Sequence, residues 1–406
     1  MWHVLIQYAE KNTDNVEGKL CFIRHGKSFL SKGCFFKNFE APSSPNIIKF
    51  LNCLGVAHKE LGQWKDAQNF LEQGYEASQK HFKSNDIRIA KMLAYLADIK
   101  RYLGLYSESQ DCICKALTIY NKNSMSKSLE VANLYFSLAE IYRDWGQFEN
   151  AAKTYELSLS LYKKLKIDGT IDTAGIFLRL ATTYLKLGVN DKAVVLLAQG
   201  GQIFRKYYQP DHPAMGWLLT EEAKLYQTQE EYKKAQKSLQ QGIGINSQYY
   251  GLKHIEVGWS LRELAKTKIS LGQYKDAEKD LLQCLEIYIT HYGQSHLRLA
   301  DIFLALGKLY RITGEIEKTQ ENLEQSLQLY QANHHSDEWV ALEELADLYR
   351  LQSEKKLKAG NLIESKELKD KALQYLKQSL KSLYNHFSSY TPHHKKIQDK
   401  IENLVT

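Results

Sequence analysis

Apolar and small residues recur along most of the chain with helical periodicity. Between Val131 and Tyr162, the residues Leu138, Ala139 and Tyr142 share one helical face, and Gly146 ends the run. A second run carries Ala151, Tyr155, Ser158 and Tyr162, spaced by four, three and four residues. Two short amphipathic helices joined at a glycine make a hairpin with one apolar face on each arm. Such a hairpin cannot bury those faces alone, so it needs neighbours.

The neighbours are copies of itself. A small residue in the first helix, usually preceded by leucine, recurs as Gly55, Ala97, Ala139, Ala181, Ala223, Ala265 and Gly307, always 42 residues apart. Helix-ending glycines follow at Gly62, Gly104, Gly146, Gly188, Gly272 and Gly314, and the fifth copy has Gln229-Glu230 instead. Further small residues lie twelve and nineteen positions after each anchor, with large ones such as Leu71, Tyr155, Leu281 and Leu323 between them. Short side chains at fixed positions are what close helix pairing requires.

This pattern resembles the tetratricopeptide repeat, in the 42-residue form of the kinesin light chains. The Leu-Ala anchor, Tyr142, Gly146, Ala151, Tyr155 and Ser158 carry the resemblance, as do the connectors Tyr208 to Pro213, Tyr250 to Ile255 and Tyr292 to Leu297. It implies an all-α, right-handed α-solenoid of helical hairpins. The divisions expected are 1–46 for an N-terminal helix and truncated repeat, 47–330 for seven repeats, 331–388 for an elongated final hairpin and 389–406 for a capping helix. At the N-terminus, Trp2 to Lys11 reads as the second helix of an earlier unit, which suggests that the stack, or another domain, continued upstream. At the other end Gly360 follows Ala346 by 14 residues where other copies have seven. Ile397, Ile401 and Leu404 form one stripe on the last helix, with Lys395, Lys396, Lys400 and Glu402 expected outward.

Composition adds less. The chain has 406 residues, a formal charge of +7, 26 tyrosines and only five prolines. Residues 351–406 hold eleven Lys, no Arg and six acidic residues, so much of the excess lies there. The six cysteines form no CxxC pair and are read as reduced thiols. The N-terminus lacks the basic start of a secretory leader, and no stretch is long enough to span a bilayer. The expectation is a cytoplasmic protein with no membrane partner.

Candidate chemistry is sparse. Phe22 to Ser28 resembles the arginine-histidine-glycine signature of histidine phosphatases, but Gly26 is the anchor of a partial helical repeat with no room for an α/β domain. His212, His254 and His296, spaced by 42, are too far apart to share a metal of about 2 Å bond length and read as turn residues. No enzyme activity, metal or cofactor is expected.

The informative positions are those that the resemblance turns toward a concave groove: six and three before each anchor, one and four after it. They place Lys224, Lys266 and Lys308 in a ladder 42 residues apart, with Trp217, Trp259, Arg262 and Arg311 beside them. Cations beside large aromatic faces suit a protein or peptide ligand with acidic residues. Asp98 and Glu140 stand near Arg101 and Arg143 and pair with them in the simplest reading. The function expected is an interaction scaffold or adaptor that holds a partner's peptide in the groove. Alternatives are the sensor arm of a larger NB-ARC-type signalling protein and, more weakly, nucleic-acid or acidic-partner binding through the basic end.

Overall fold

The computed structural model describes residues 45–61, 63–387 and 390–405, which form seventeen α-helices, one short 3-10 turn and no strand. The expected helix Trp2 to Lys11, the partial repeat around Gly33 and the Phe22 to Ser28 motif lie outside the described residues. The fold is an all-α solenoid of hairpins. Contacts divide the chain into two compact units: Met1–Ile141 with Thr154–Asp168, and Tyr142–Lys153 with Gly169–Thr406.

The first unit holds helices α1 (Pro45–Glu60), α2 (Trp64–His81), α3 (Ile87–Tyr102) and α4 (Tyr106–Lys122), with most of α5 (Leu129–Asp144) and the end of α6 (Phe148–Lys164). The second continues through α7 (Ile171–Lys186), α8 (Asn190–Tyr207), α9 (Pro213–Thr228), α10 (Tyr232–Tyr250), α11 (Ile255–Ser270) and α12 (Tyr274–Tyr292). After a 3-10 turn at Leu297–Leu299 come α13 (Ala300–Thr313), α14 (Ile316–Ala332), α15 (Glu338–Lys358), α16 (Leu362–His386) and α17 (Pro392–Val405).

The repeated small residues do two physical jobs. They let the paired helices touch: Ala97, Ala139, Ala181, Ala223 and Ala265 are all fully buried. Where the anchor is Gly307, an added Cβ would lie 2.5 Å from Leu323 Cδ2, so the partner leucine occupies that space. The small residue nineteen after the anchor also donates to a carbonyl of the first helix. Ser158 Oγ reaches the Ala132 carbonyl at 2.8 Å, Cys284 Sγ the Gly258 carbonyl at 3.1 Å and Ser326 Oγ the Ala300 carbonyl at 2.9 Å. The position is therefore small and, in these copies, a donor.

The connectors explain their histidines. His212, His254 and His296 each accept from the backbone N–H two residues on, through Nδ1, and so cap the next helix. The tyrosine four residues earlier stacks on each imidazole at 4.2–4.5 Å between ring centres. The Tyr-x-x-x-His pattern is thus a rigid turn and helix cap.

Within the second unit, the C-terminal helices return to the unit's first segment. Trp145 Nε1 donates to the Asn333 carbonyl at 3.1 Å, and Arg298 Nη2 meets Asp144 Oδ2 at 2.5 Å. Phe148 and Leu187 join one apolar cluster with Trp339, Leu383, Phe387 and Ile397. Those contacts attach Tyr142–Lys153 to this unit, a division that the 42-residue register does not announce. Helix α17 buries Ile397 as expected, and Lys396 stays exposed as expected, but both it and the half-buried Lys400 reach Glu343, at 2.8 and 2.6 Å, and Lys400 reaches Asp347 at 2.8 Å. The cause is Glu343, only 2% exposed, whose buried carboxylate requires cations.

Candidate functional site

The positions expected to line a groove differ in kind between the two units. In the first, they satisfy one another. Lys59 Nζ meets Asp98 at 2.7 Å, Arg101 meets Asp98 at 2.8 Å and approaches Glu140 at 4.0 Å, and Tyr155 donates to Glu140. Burial alone would raise Asp98, but Lys59 and Arg101 override it and hold the carboxyl at about 2. This face is a self-neutralised ladder, the pairing expected for Asp98, Glu140 and Arg101.

In the second unit, the last turns of α7, α9 and α11 meet the Tyr142–Lys153 turn, the entry to α13 and the start of α15 around a cavity of about 310 Å³. Its ionised walls carry Arg143, Lys186, Lys224, Arg262, Lys266 and Arg298 against Asp144, Glu263, Asp301 and Asp337. Six cations and four carboxylates line it, and Glu221, just outside the lining, takes Lys224 at 2.8 Å. His335, also in the wall, adds no charge near neutrality, because burial pushes its imidazole below the ordinary value.

Each carboxylate is already engaged. Glu263 takes Arg262 at 3.0 Å and Lys266 at 3.3 Å. Asp301 takes Arg262 Nη1 at 2.5 Å and the Tyr330 hydroxyl at 2.6 Å, and Asp337 takes Lys186 at 2.6 Å. Burial opposes the charge on Glu263, but Lys266, Arg262 and Lys224 hold it at about 2. Among these cations Lys266 stands out by its lowered amine. Its side chain is 41% exposed toward the cavity, yet enclosure by the walls lowers the amine below the usual lysine value despite Glu263, and Arg262 adds repulsion.

The chamber gathers Lys224, Arg262 and Lys266 of the expected set. It does not gather Lys308 and Arg311, which share Glu344 at 3.3 and 2.9 Å. Nor do the tryptophans line it. Trp217 donates from Nε1 to Glu221 at 2.9 Å, packs edge-on against Phe204 and lies under the Arg179 guanidinium, while Trp259 lies 5.6 Å from the Arg298 guanidinium. Arg143, Lys186 and Arg298 were not among the expected site residues. Lys224 and Lys266 each pair with the glutamate three residues earlier, a Glu-x-x-Lys signal present in the sequence. In the seventh copy that position is Ala305, so Lys308 turns to the next hairpin.

Beside the chamber, Glu256 opens α11 among Arg179, Glu221, Lys224 and Arg298. Burial, with Glu221 adding repulsion, raises its carboxyl to about 7 against the nearby cations. A folded value above the unfolded one, about 4.3, means that this group's stabilising contribution is full below pH 4 and lost as pH rises through 7. Glu256→Gln is therefore expected to stabilise the protein by about 1–2 kcal/mol at pH 8 and by nothing at pH 4, read from denaturant unfolding at both values. An equal effect at the two pH values would contradict this.

Tetratricopeptide repeat signatures match residues 88–164, 172–248 and 226–290. No curated protein matches the chain. Among solved structures, the Rap conjugation gene regulator of plasmid pLS20, in complex with the Phr* peptide, is similar at a TM-score of 0.57 and 14% identity, over 82% of this chain and 94% of that one. The apo quorum sensor NprR from B. thuringiensis is similar at 0.52 and 13%, over 90% and 99%. A putative kinesin light chain with nearly identical repeats from Podosopora anserina matches at 0.29 and 20%, over 62% and 98%.

Proposed function

The chain belongs to the tetratricopeptide repeat family, in its 42-residue form, and from that premise we propose that its second unit is a non-enzymatic peptide-binding module whose chamber takes an acidic segment of a partner protein. The observation that supports this reading is the gathering of six cations in the chamber wall, among them Lys266, whose side chain is 41% exposed. An entering carboxylate meets these cations in an enclosed space, where charge-assisted hydrogen bonds are strongest. The volume, about 310 Å³, fits one or two side chains of a segment rather than a folded domain. The pLS20 regulator was solved with a peptide bound, so a chain of this fold can accept one. Family membership supports protein interaction in general; the chamber supplies the proposed chemistry.

Amine footprinting tests it. At pH 8, Lys266 is expected to be acylated early in the free protein because its amine is lowered. A pool of Asp- and Glu-rich peptides at saturation is expected to slow acylation of Lys224 and Lys266 by about tenfold while Lys308 reacts as before. Unchanged rates at Lys224 and Lys266 would overturn the proposal.

A further inference from the structure

Five of the thirteen histidines fall between residues 334 and 394, where the last hairpin meets the final helix. Two of them are sealed from solvent. His335 is 8% exposed in the turn leading into α15, between the Tyr330 ring, stacked at 5.2 Å, and the edge of Phe148 at 6.3 Å. His394 is fully buried in the first turn of α17, with the rings of Tyr384, Tyr390 and Phe387 at 4.7, 5.2 and 6.4 Å.

Both imidazoles are held in the neutral form. Nδ1 of His335 accepts the Asp337 backbone N–H at 3.1 Å, and Nδ1 of His394 accepts that of Thr391 at 3.0 Å. A proton on Nδ1 sets two donors against each other, so protonation breaks the bond that shapes the entry to each helix. Nε2 of His394 has no hydrogen-bond partner to steady a cation. The surrounding ring faces attract a cation less strongly than burial without a counter-ion penalises one.

The charges nearby do not reverse this preference. His335 faces Asp337, Asp301 of α13, Lys186 of α7 and His386 of α16; the two carboxylates favour a proton, but burial, with Lys186 and His386, outweighs them and lowers the imidazole. Burial alone lowers His394. Burial also lowers His386, beside Glu338, His334 and Asp337, and His393, beside Lys186, Lys396 and Asp337. His393 packs on Trp339 at 4.8 Å, within the same joint.

We propose that His335 and His394 form an acid-released latch, which holds α17 and the entry to α15 in place near neutral pH and frees them on acidification. His335 and Asp337 line the chamber, so release opens one side of it, whatever the chamber binds. With folded values below the unfolded one, about 6.5, the stabilising contribution of these groups is full above that pH and is lost as the pH falls below it. Helix α17 ends the stack, and contacts in a repeat array are between neighbours, so the opening stays local.

Hydrogen exchange of the full chain at pH 7.5 and 5.5, corrected for the intrinsic effect of pH, tests the latch. Protection of α17 and of residues 335–342 is expected to fall at least about tenfold at pH 5.5, while that of α10 and α12 does not fall. His335→Asn/His394→Asn keeps an acceptor at each position without a titrating group, and is expected to limit the fall to about threefold. Titration of the wild-type imidazole resonances does not depend on how well that variant folds, and is expected to place both groups below the unfolded value. Equal protection at the two pH values, a fall shared by α10 and α12, a variant that keeps the full fall, or resonances that titrate at or above the unfolded value would overturn the proposal.

Discussion

Lys224→Glu combined with Lys266→Glu is expected to weaken binding of an acidic peptide by at least about 100-fold, while Lys308→Glu leaves it within about threefold. The three lysines stand 42 residues apart and look equivalent in the sequence. Only the first two face the cavity, whereas Lys308 is committed to Glu344 at 3.3 Å. At an effective dielectric constant of about 20, a unit charge at about 4 Å is worth a few kcal/mol before desolvation. Losing one attraction and gaining one repulsion at each of two sites makes about 3 kcal/mol a conservative sum, or about 100-fold. Reversal also sets glutamates beside Glu221 and Glu263, so the neutral pair Lys224→Gln/Lys266→Gln serves as a control, with an expected loss of about tenfold. Calorimetric titration of the three variants separates these cases, and equal losses for Lys308→Glu would contradict the assignment.

Gly146→Ala is expected to cost about 2–4 kcal/mol, against about 1 kcal/mol for Gly272→Ala. Both glycines end the first helix of a repeat with left-handed backbones, φ +82° and +75°. They differ in their surroundings. A Cβ at Gly146 would lie 2.8 Å from the Ser336 backbone nitrogen and 3.0 Å from the His335 ring, whereas nothing lies within 4 Å at Gly272. The first substitution therefore adds a backbone collision to the strain that both share. That collision falls where Asp144 meets Arg298 and Trp145 meets Asn333, along one side of the chamber. Denaturant unfolding measures the costs, and hydrogen exchange across residues 142–153 is expected to rise only in Gly146→Ala. Equal costs would show that the C-terminal helices do not press on this turn.

The repeat was legible because its causes are local or recur at a fixed offset. Small anchors, helix-ending glycines and connector histidines each solve the same packing or capping problem in successive copies. Even the exception in the fifth copy has a structural counterpart: Glu230 takes the left-handed backbone, φ +59°, that glycine takes elsewhere. Lys224, Arg262 and Lys266 were legible by their register on the first helix. Glu221 and Glu263 were legible three residues earlier, but the distant counter-charges were not. Lys186 meets Asp337 across 151 residues of sequence, and Arg298 meets Asp144 across 154. No short-range period encodes such pairs, because they depend on which distant segments the unit brings together: the entry to α15 for Asp337 and the entry to α13 for Arg298. Trp217 and Trp259 show the converse: the register that suggested them as contacts is spent on neighbours, Glu221 and Phe204 for one and the Arg298 guanidinium for the other.

The central claim is that this chamber selects acidic segments, and selection from an unbiased peptide library tests it most directly. The wild type is expected to enrich sequences carrying Asp or Glu, and the Lys224→Glu/Lys266→Glu variant to lose that enrichment while remaining folded. Identical selections by the two proteins, or a wild-type selection without acidic residues, would contradict the account.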